Sequence, residues 1–406
     1  MTTTVRIICF TLLLSAFSFR AAAKDSTNTS ADYLLKTTNE SRGNSESVGK
    51  VQDFLFLPPT TMPANYRHMA DLFATRIIKR GHAVYPLPRA EKPLAVTYQS
   101  KGKTVTTDEF MSRNDVTGLL LIKDGKIVLE RYGSGNTEKT KWPSWSIAKS
   151  VTSTLVGAAL KDGYIASIDD PVTKYLPQLK GSAYEGTTIK NLLQMSSGIK
   201  FNENYEDRNS DFSRLMECYY DRAGAACVLS LAKAVSRQVP PGTKFQYVTL
   251  NTTVVGLVVM AATHKTLAGY LSEKIWSPFG MEEDAMWVLD SNGGQEFGGA
   301  LIGATLRDYG RFGEFILNGG TAGGKQVVPK NWVDETLTVQ NDSKDSQGYP
   351  YTYLWRVMNT GSFFAKGIMG QFIFVCPKKQ IVIIRMGESA GNLDWPGFFQ
   401  LLTDQL

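Results

Sequence analysis

The chain has 406 residues, 43% of them hydrophobic and 20% charged, with a net charge of +6. That length is ample for a large core or two lobes, and no basic run is interleaved with aromatics, so no nucleic-acid surface is expected. His68, His82 and His264 are the only imidazoles and no zinc-type spacing exists, so neither a metal site nor a cofactor is expected. The N-terminus reads as a signal peptide over residues 1–23. Arg6 is the only charge ahead of an apolar run from Ile7 to Phe19, and Ala21-Ala22-Ala23 offers small residues for cleavage. The run is too short to span a bilayer and no lipobox-like cysteine follows it, so export without a stable membrane anchor is the expectation, periplasmic or secreted. Residues 24–50, rich in Ser, Thr, Asn and Lys, read as a disordered leader.

From Val51 the chain turns apolar. Residues 51–115 predict an N-terminal segment packed on the main body, with a short amphipathic helix over His68–Lys79. Val116–Ile122 and Ile127–Tyr132, joined through Lys123-Asp124-Gly125-Lys126, predict a hairpin. A buried helix follows, opened by Pro143-Ser144 and closed near Asp162-Gly163. Residues 165 to about 320 alternate helical patterns with loops. Leu354–Val357, Gln371–Cys376 and Ile381–Met386 predict strands, and Trp395–Asp404 a terminal helix. Strands at both ends with helices between predict an α+β (α/β) fold: an antiparallel sheet flanked by helices with an inserted all-helical lobe, residues 116–406 forming the main domain. Cys9 leaves with the signal. Of Cys218, Cys227 and Cys376, buried free thiols are the expectation, with a Cys218–Cys227 pair across a short excursion as the alternative.

Ser146-Ile147-Ala148-Lys149 carries the most chemistry. A serine and a lysine three apart share one helix face, and an amine beside a hydroxyl is one way to activate serine without histidine. The same spacing starts at Ser47, Ser100, Ser197 and Ser230. Only Ser146 opens a buried helix, where the dipole and free N–H groups favour an anion. No Gly-x-Ser-x-Gly elbow exists, so a histidine triad is a poor candidate. Such a site also needs a proton relay and two oxyanion donors. Tyr247 is a natural relay, because it follows the stiff Pro240-Pro241-Gly242 turn and precedes a buried helix.

The order Ser-x-x-Lys, then Pro-Gly-x-x-Phe-x-Tyr (Pro241 to Tyr247), then a Gly-rich strand start resembles the serine β-lactamase and penicillin-binding superfamily. Within it the match is to the class-C-like branch that holds 6-aminohexanoate-dimer hydrolase and related esterases. Supporting stretches are Leu192–Ile199, Gly298-Gly299-Ala300 and Leu306–Gly313, and the resemblance covers roughly residues 51 to 400. It implies the β-lactamase/transpeptidase-like fold and an acyl-serine hydrolase of small amides or esters. Ser146 corresponds to the acylated residue, Lys149 to its base partner and Tyr247 to the relay. Thr249 and Asn251 occupy the stretch where many relatives have Tyr-x-Asn, and Tyr205 matches a substrate-covering tyrosine. The third motif, commonly Lys- or His-Thr/Ser-Gly, is replaced by Gly367-Ile368-Met369-Gly370-Gln371, with Lys366 nearby. Gly370 and Gln371 are expected at the oxyanion site, the donors being the Ser146 and Gln371 N–H groups. The missing motif cation counts against the alternatives of a β-lactamase or D-alanyl carboxypeptidase. A non-catalytic penicillin-binding-like cell-wall binder is the other alternative.

Overall fold

The computed structural model describes residues 54–406 apart from 56, 58–60, 93, 95–97, 101–102, 221–222, 339–342, 392 and 405. The expected signal peptide and leader lie outside the described residues. A seven-stranded antiparallel sheet forms the frame. Its strands are β1 (Val116–Lys123), β2 (Lys126–Tyr132), β3 (Tyr351–Thr352), β4 (Trp355–Val357), β5 (Phe363–Gly367), β6 (Gln371–Cys376) and β7 (Ile381–Gly387). Their spatial order is β3-β4-β5-β6-β7-β1-β2. The ends of the chain therefore meet in the middle, with β7 on β1 in the register Ile383↔Leu121. The hairpin forms as expected, with Asp124 and Gly125 in the left-handed region its tight turn requires.

Both sheet faces are covered, which is why β1 reads as an unbroken apolar run rather than an alternating one. Leu120 and Ile122 enter the main core, while Leu119 and Leu121 enter a second core under the terminal helix Trp395–Asp404. Helix α1 (Ile147–Lys161) is buried along nearly its whole length and stops at Asp162-Gly163. It packs against α2 (Thr249–Thr263), which is equally buried. Between them the chain builds the helical lobe, from Val172–Tyr175 through Ala225–Ala234.

Three features depart from the sequence reading. Residues 62–67 and 69–72 are helical, but Thr75–Ile78 is a strand, so of the helix expected over His68–Lys79 only the first turn, Met69–Leu72, forms. That strand pairs with Ala285–Val288 in a second sheet completed by Ile302–Ala304 and Trp142–Pro143. Arg76 made the strand look amphipathic, yet it is 2% exposed and donates to Glu296 at 2.7 Å. Because of this second sheet, Pro143-Ser144 is a strand end and α1 begins only at Ile147. Finally, Cys218 and Cys227 are joined in a disulfide, with Cα atoms 5.6 Å apart, in place of the expected free thiols; Cys376 is a buried free thiol.

Gly157 shows how tightly α1 is seated. A Cβ there would lie 2.8–2.9 Å from three ring atoms of Trp332. Trp332 is 4% exposed, so its indole has little room to yield. Gly157→Ala should therefore destabilise the fold by about 1–3 kcal/mol despite its better helix propensity. Urea denaturation measures this.

Candidate active site

Ser146 occupies the N-cap position of α1, where a serine side chain ordinarily accepts a backbone N–H of the first turn. Here it makes no such cap. Instead its Oγ accepts a hydrogen bond from Lys149 Nζ at 3.0 Å. The residue before it, Trp145, is held at φ 45°, a left-handed conformation that costs a bulky side chain of order 1–3 kcal/mol. Its surroundings enforce this bend. The Trp145 indole N–H donates to Tyr66 Oη at 3.1 Å and the ring packs on Phe54. The Trp145 carbonyl accepts from Ser144 Oγ at 3.0 Å, and Ser144 Oγ accepts from the Ile302 N–H at 2.9 Å.

Lys149 is 1% exposed. Besides Ser146, its Nζ donates to the Gly299 carbonyl at 2.8 Å and stands 5.1 Å from the centre of the Tyr247 ring. The structure thus brings Ser146, Lys149 and Tyr247 together from α1 and the start of α2. Gly298-Gly299 closes the arrangement, since Thr152 Oγ1 also donates to the Gly298 carbonyl, at 2.7 Å. Tyr247 is half-buried and meets Tyr351 edge-on, with ring centres 6.0 Å apart.

The remaining expected residues behave differently. Thr249 spends both its N–H (2.8 Å) and its hydroxyl on the Glu203 carboxylate, so its side chain is committed within the fold. Asn251 is fully buried, accepts from Tyr184 Oη at 3.2 Å and offers no surface to a substrate. Tyr205 is half-buried beside Phe212 and donates to Glu203 at 3.3 Å. Gly370 and Gln371 are displaced from their expected place. A Cβ on Gly370 would run into Arg385 and the Ser389 carbonyl, and Arg385 donates to the Gly370 carbonyl. Gln371 is 0% exposed, and its carboxamide donates to the Ile368, Met369 and Gly387 carbonyls and accepts the Gly387 N–H. The glycine that faces the nucleophile is Gly367. A Cβ there would lie 2.5 Å from the Ser144 carbonyl, 2.9 Å from Trp145 Cβ and 3.0 Å from the Ser146 nitrogen. The Gly367-Ile368 peptide, not Gln371, therefore abuts the start of α1.

Glu203 was not singled out by the sequence reading, although it lies in the Phe201–Asp207 stretch that supplied Tyr205. Burial pushes its carboxyl up to about 7, against the opposing pull of the Lys149 charge and of its bonds to Thr249 and Tyr205. Arg356 (on β4) and Lys366 (on β5) were also absent from the expected site. The Arg356 guanidinium lies 5.9 Å from the Tyr247 ring. Burial and the Arg356 charge bring the Lys366 ammonium down to about 8. Among the described residues, no three His, Cys, Asp or Glu side chains gather as metal ligands would.

A family model for Beta-lactamase matches residues 106–394. The chain belongs to the β-lactamase family. It is thus a β-lactamase-fold serine hydrolase. It is 28% identical to a 6-aminohexanoate-dimer hydrolase of Paenarthrobacter ureafaciens over 296 residues, covering 68% of this chain and 72% of that one. Its fold is that of a solved Bacillus anthracis protein provisionally assigned as a 6-aminohexanoate-dimer hydrolase. That likeness has a TM-score of 0.78 and 23% identity, and covers 90% of this chain and 98% of the other. A family VIII carboxylesterase is similar at TM-score 0.55 and 18% identity, over 72% and 92%.

The Glu203 environment generates a stability test. The folded protein keeps a proton on Glu203 up to about pH 7, whereas an unfolded chain releases it near the ordinary value of 4.5. Between those two values folding takes up a proton, so this group's contribution to stability falls as pH rises. Glu203→Gln should remove that slope. Denaturation midpoints of both proteins at about pH 5 and 7 read it out: the wild type should lose more stability across the interval than the variant.

Proposed function

We propose that this protein is an exported serine hydrolase that cleaves small amides or esters through an acyl-Ser146 intermediate, with substrates of the linear-amide and simple-ester kind named for its relatives. One observation carries the reading: an N-cap serine is withheld from its helix and hydrogen-bonded at 3.0 Å to a buried lysine. In the proposed sequence Lys149, as the free amine, takes the proton while Ser146 Oγ attacks the carbonyl carbon. Tyr247, over whose ring Lys149 sits, passes a proton to the departing amine or alcohol. The carbonyl oxygen is received by the N–H of Ser146, which the helix does not use, and by that of Ile368, brought there by Gly367. Water then releases the acyl group by the reverse traffic. The Gly367–Gly370 stretch has no cation where β-lactam and D-alanyl substrates are commonly met, which supports an amidase or esterase over those activities. Export is supported by the apolar run Ile7–Phe19 and by the Cys218–Cys227 disulfide, a bond typical of oxidising compartments.

Ser146→Ala should abolish turnover of p-nitrophenyl esters and of a 6-aminohexanoate dimer. Lys149→Ala should lower kcat/KM by roughly 10²–10⁴-fold. Mass spectrometry should find a fluorophosphonate adduct at Ser146. Ester hydrolysis that survives in Ser146→Ala would overturn the proposal.

A further inference from the structure

We propose that Glu203 is a positioning residue for the proton relay: it grips the start of α2 and thereby sets the Tyr247 hydroxyl where the departing group is protonated. The proposal rests on the acyl-serine reading above and adds to it the group that places its proton donor.

Tyr247 has to be placed through its backbone. Its hydroxyl has no hydrogen-bond partner among the described residues. Lys149, Arg356 and Tyr351 stand 5.1, 5.9 and 6.0 Å from its ring centre. Face and edge contacts of this kind tolerate small shifts, whereas a proton donor must stand within about 0.5 Å of its productive place.

The chain on either side supplies that precision. Ahead of the tyrosine, the Gln246 N–H donates to the Met195 carbonyl at 2.8 Å, and the Gln246 carboxamide donates to the Phe201 carbonyl at 2.7 Å. Behind it, α2 opens at Thr249 with Val248 in the N-cap position. A valine side chain cannot accept a hydrogen bond, so the first-turn N–H groups need an acceptor from elsewhere. Glu203 brings one across from a separate loop. One of its carboxyl oxygens accepts the Thr249 N–H at 2.8 Å, and the other accepts the Thr249 hydroxyl. A carboxyl at a helix N-terminus also suits the helix dipole. The Phe201 carbonyl and the Glu203 carboxyl are two residues apart, so one loop clamps Tyr247 from both sides.

The loop itself is anchored. The Asn202 N–H donates to Asp211 Oδ2 at 2.8 Å, and the Asn202 carbonyl accepts the Phe212 N–H at 3.1 Å. These bonds pin it to the start of the helix Asp211–Tyr220. Tyr205 Oη donates to Glu203 at 3.3 Å, and its ring packs edge-on against Phe212. Both Glu203 oxygens are therefore occupied as acceptors, the arrangement of a tether rather than of a proton carrier.

The test compares two acetate esters that form the same acyl-enzyme. p-Nitrophenyl acetate expels a phenolate that leaves without a proton, whereas ethyl acetate expels an alkoxide that must receive one. Glu203→Ala should lower kcat/KM for ethyl acetate by roughly tenfold or more and that for p-nitrophenyl acetate by less than about threefold. Glu203→Gln removes the charge that faces Lys149 but keeps an acceptor for the Thr249 N–H, so it should restore most of the loss. In a Tyr247→Phe background, Glu203→Ala should add little, because it acts through that hydroxyl. Equal losses on both esters, no loss on either, a Gln variant as impaired as the Ala variant, or full additivity with Tyr247→Phe overturns the positioning role. With Ser146 still labelled by a fluorophosphonate, each of these leaves the acyl-serine reading standing. Absence of labelling and turnover in the wild type overturns both. Should Glu203→Ala not fold, Glu203→Asp, whose carboxylate stops one methylene short of Thr249, carries the same comparison.

Discussion

The structure of the cleft depends on a buried lysine with no ion-pair partner among the described residues. Removing an amine-bearing side chain from water is costly unless polar partners replace the water. Lys149 has three: a serine hydroxyl, one peptide carbonyl and the face of a phenol ring. Each comes from a different part of the chain, so the lysine defines where those parts must stand. The carbonyl explains the two adjacent glycines at 298 and 299, which bring backbone against α1 without side chains intervening. The ring explains the rigid turn ahead of α2. A carboxylate in hydrogen-bond contact with Lys149 would compete with Ser146 for its nitrogen. Glu203 acts on it only at longer range while its oxygens are held by Thr249 and Tyr205.

How much of this was legible in sequence follows from what kind of signal each piece leaves. Ser146, Lys149 and Tyr247 stand in local motifs, and local motifs survive as strings. The hairpin, α1, the late strands and the terminal helix were legible for the same reason, because periodicity and turn residues are local. The second sheet was not. Thr75–Ile78 is four residues long, and its partner strand lies some two hundred positions away, so nothing near it signals pairing. Gln371 was misplaced because a glycine-rich string does not say which glycine makes the close approach. Only three-dimensional packing shows Gly367 against Ser146 and Gly370 against Arg385. Glu203 and Arg356 stayed hidden because a single charged residue in a loop or strand looks like surface. What distinguishes them is burial.

Those two residues divide the cleft electrostatically. Glu203 supplies acidity on the side of the helical lobe, through a loop that also carries Tyr205. Arg356 and Lys366 supply positive charge on the side of the sheet. Tyr247 stands between them, in contact with both Lys149 and the Arg356 guanidinium. A substrate entering this gap meets positive charge on the sheet side and a carboxyl on the other that ionises only near pH 7.

The elbow at Trp145 has a wider consequence. Its left-handed backbone is braced by Phe54 and Tyr66, and both lie ahead of residue 106, where the family match starts. Thr75–Ile78, which completes the sheet next to that elbow, lies there too. The stretch that the family model matches and the unit of mechanics in this protein therefore have different borders. Part of what keeps the reactive apparatus in register lies ahead of residue 106, tied to it by aromatic packing, so a change there is felt at the reacting oxygen.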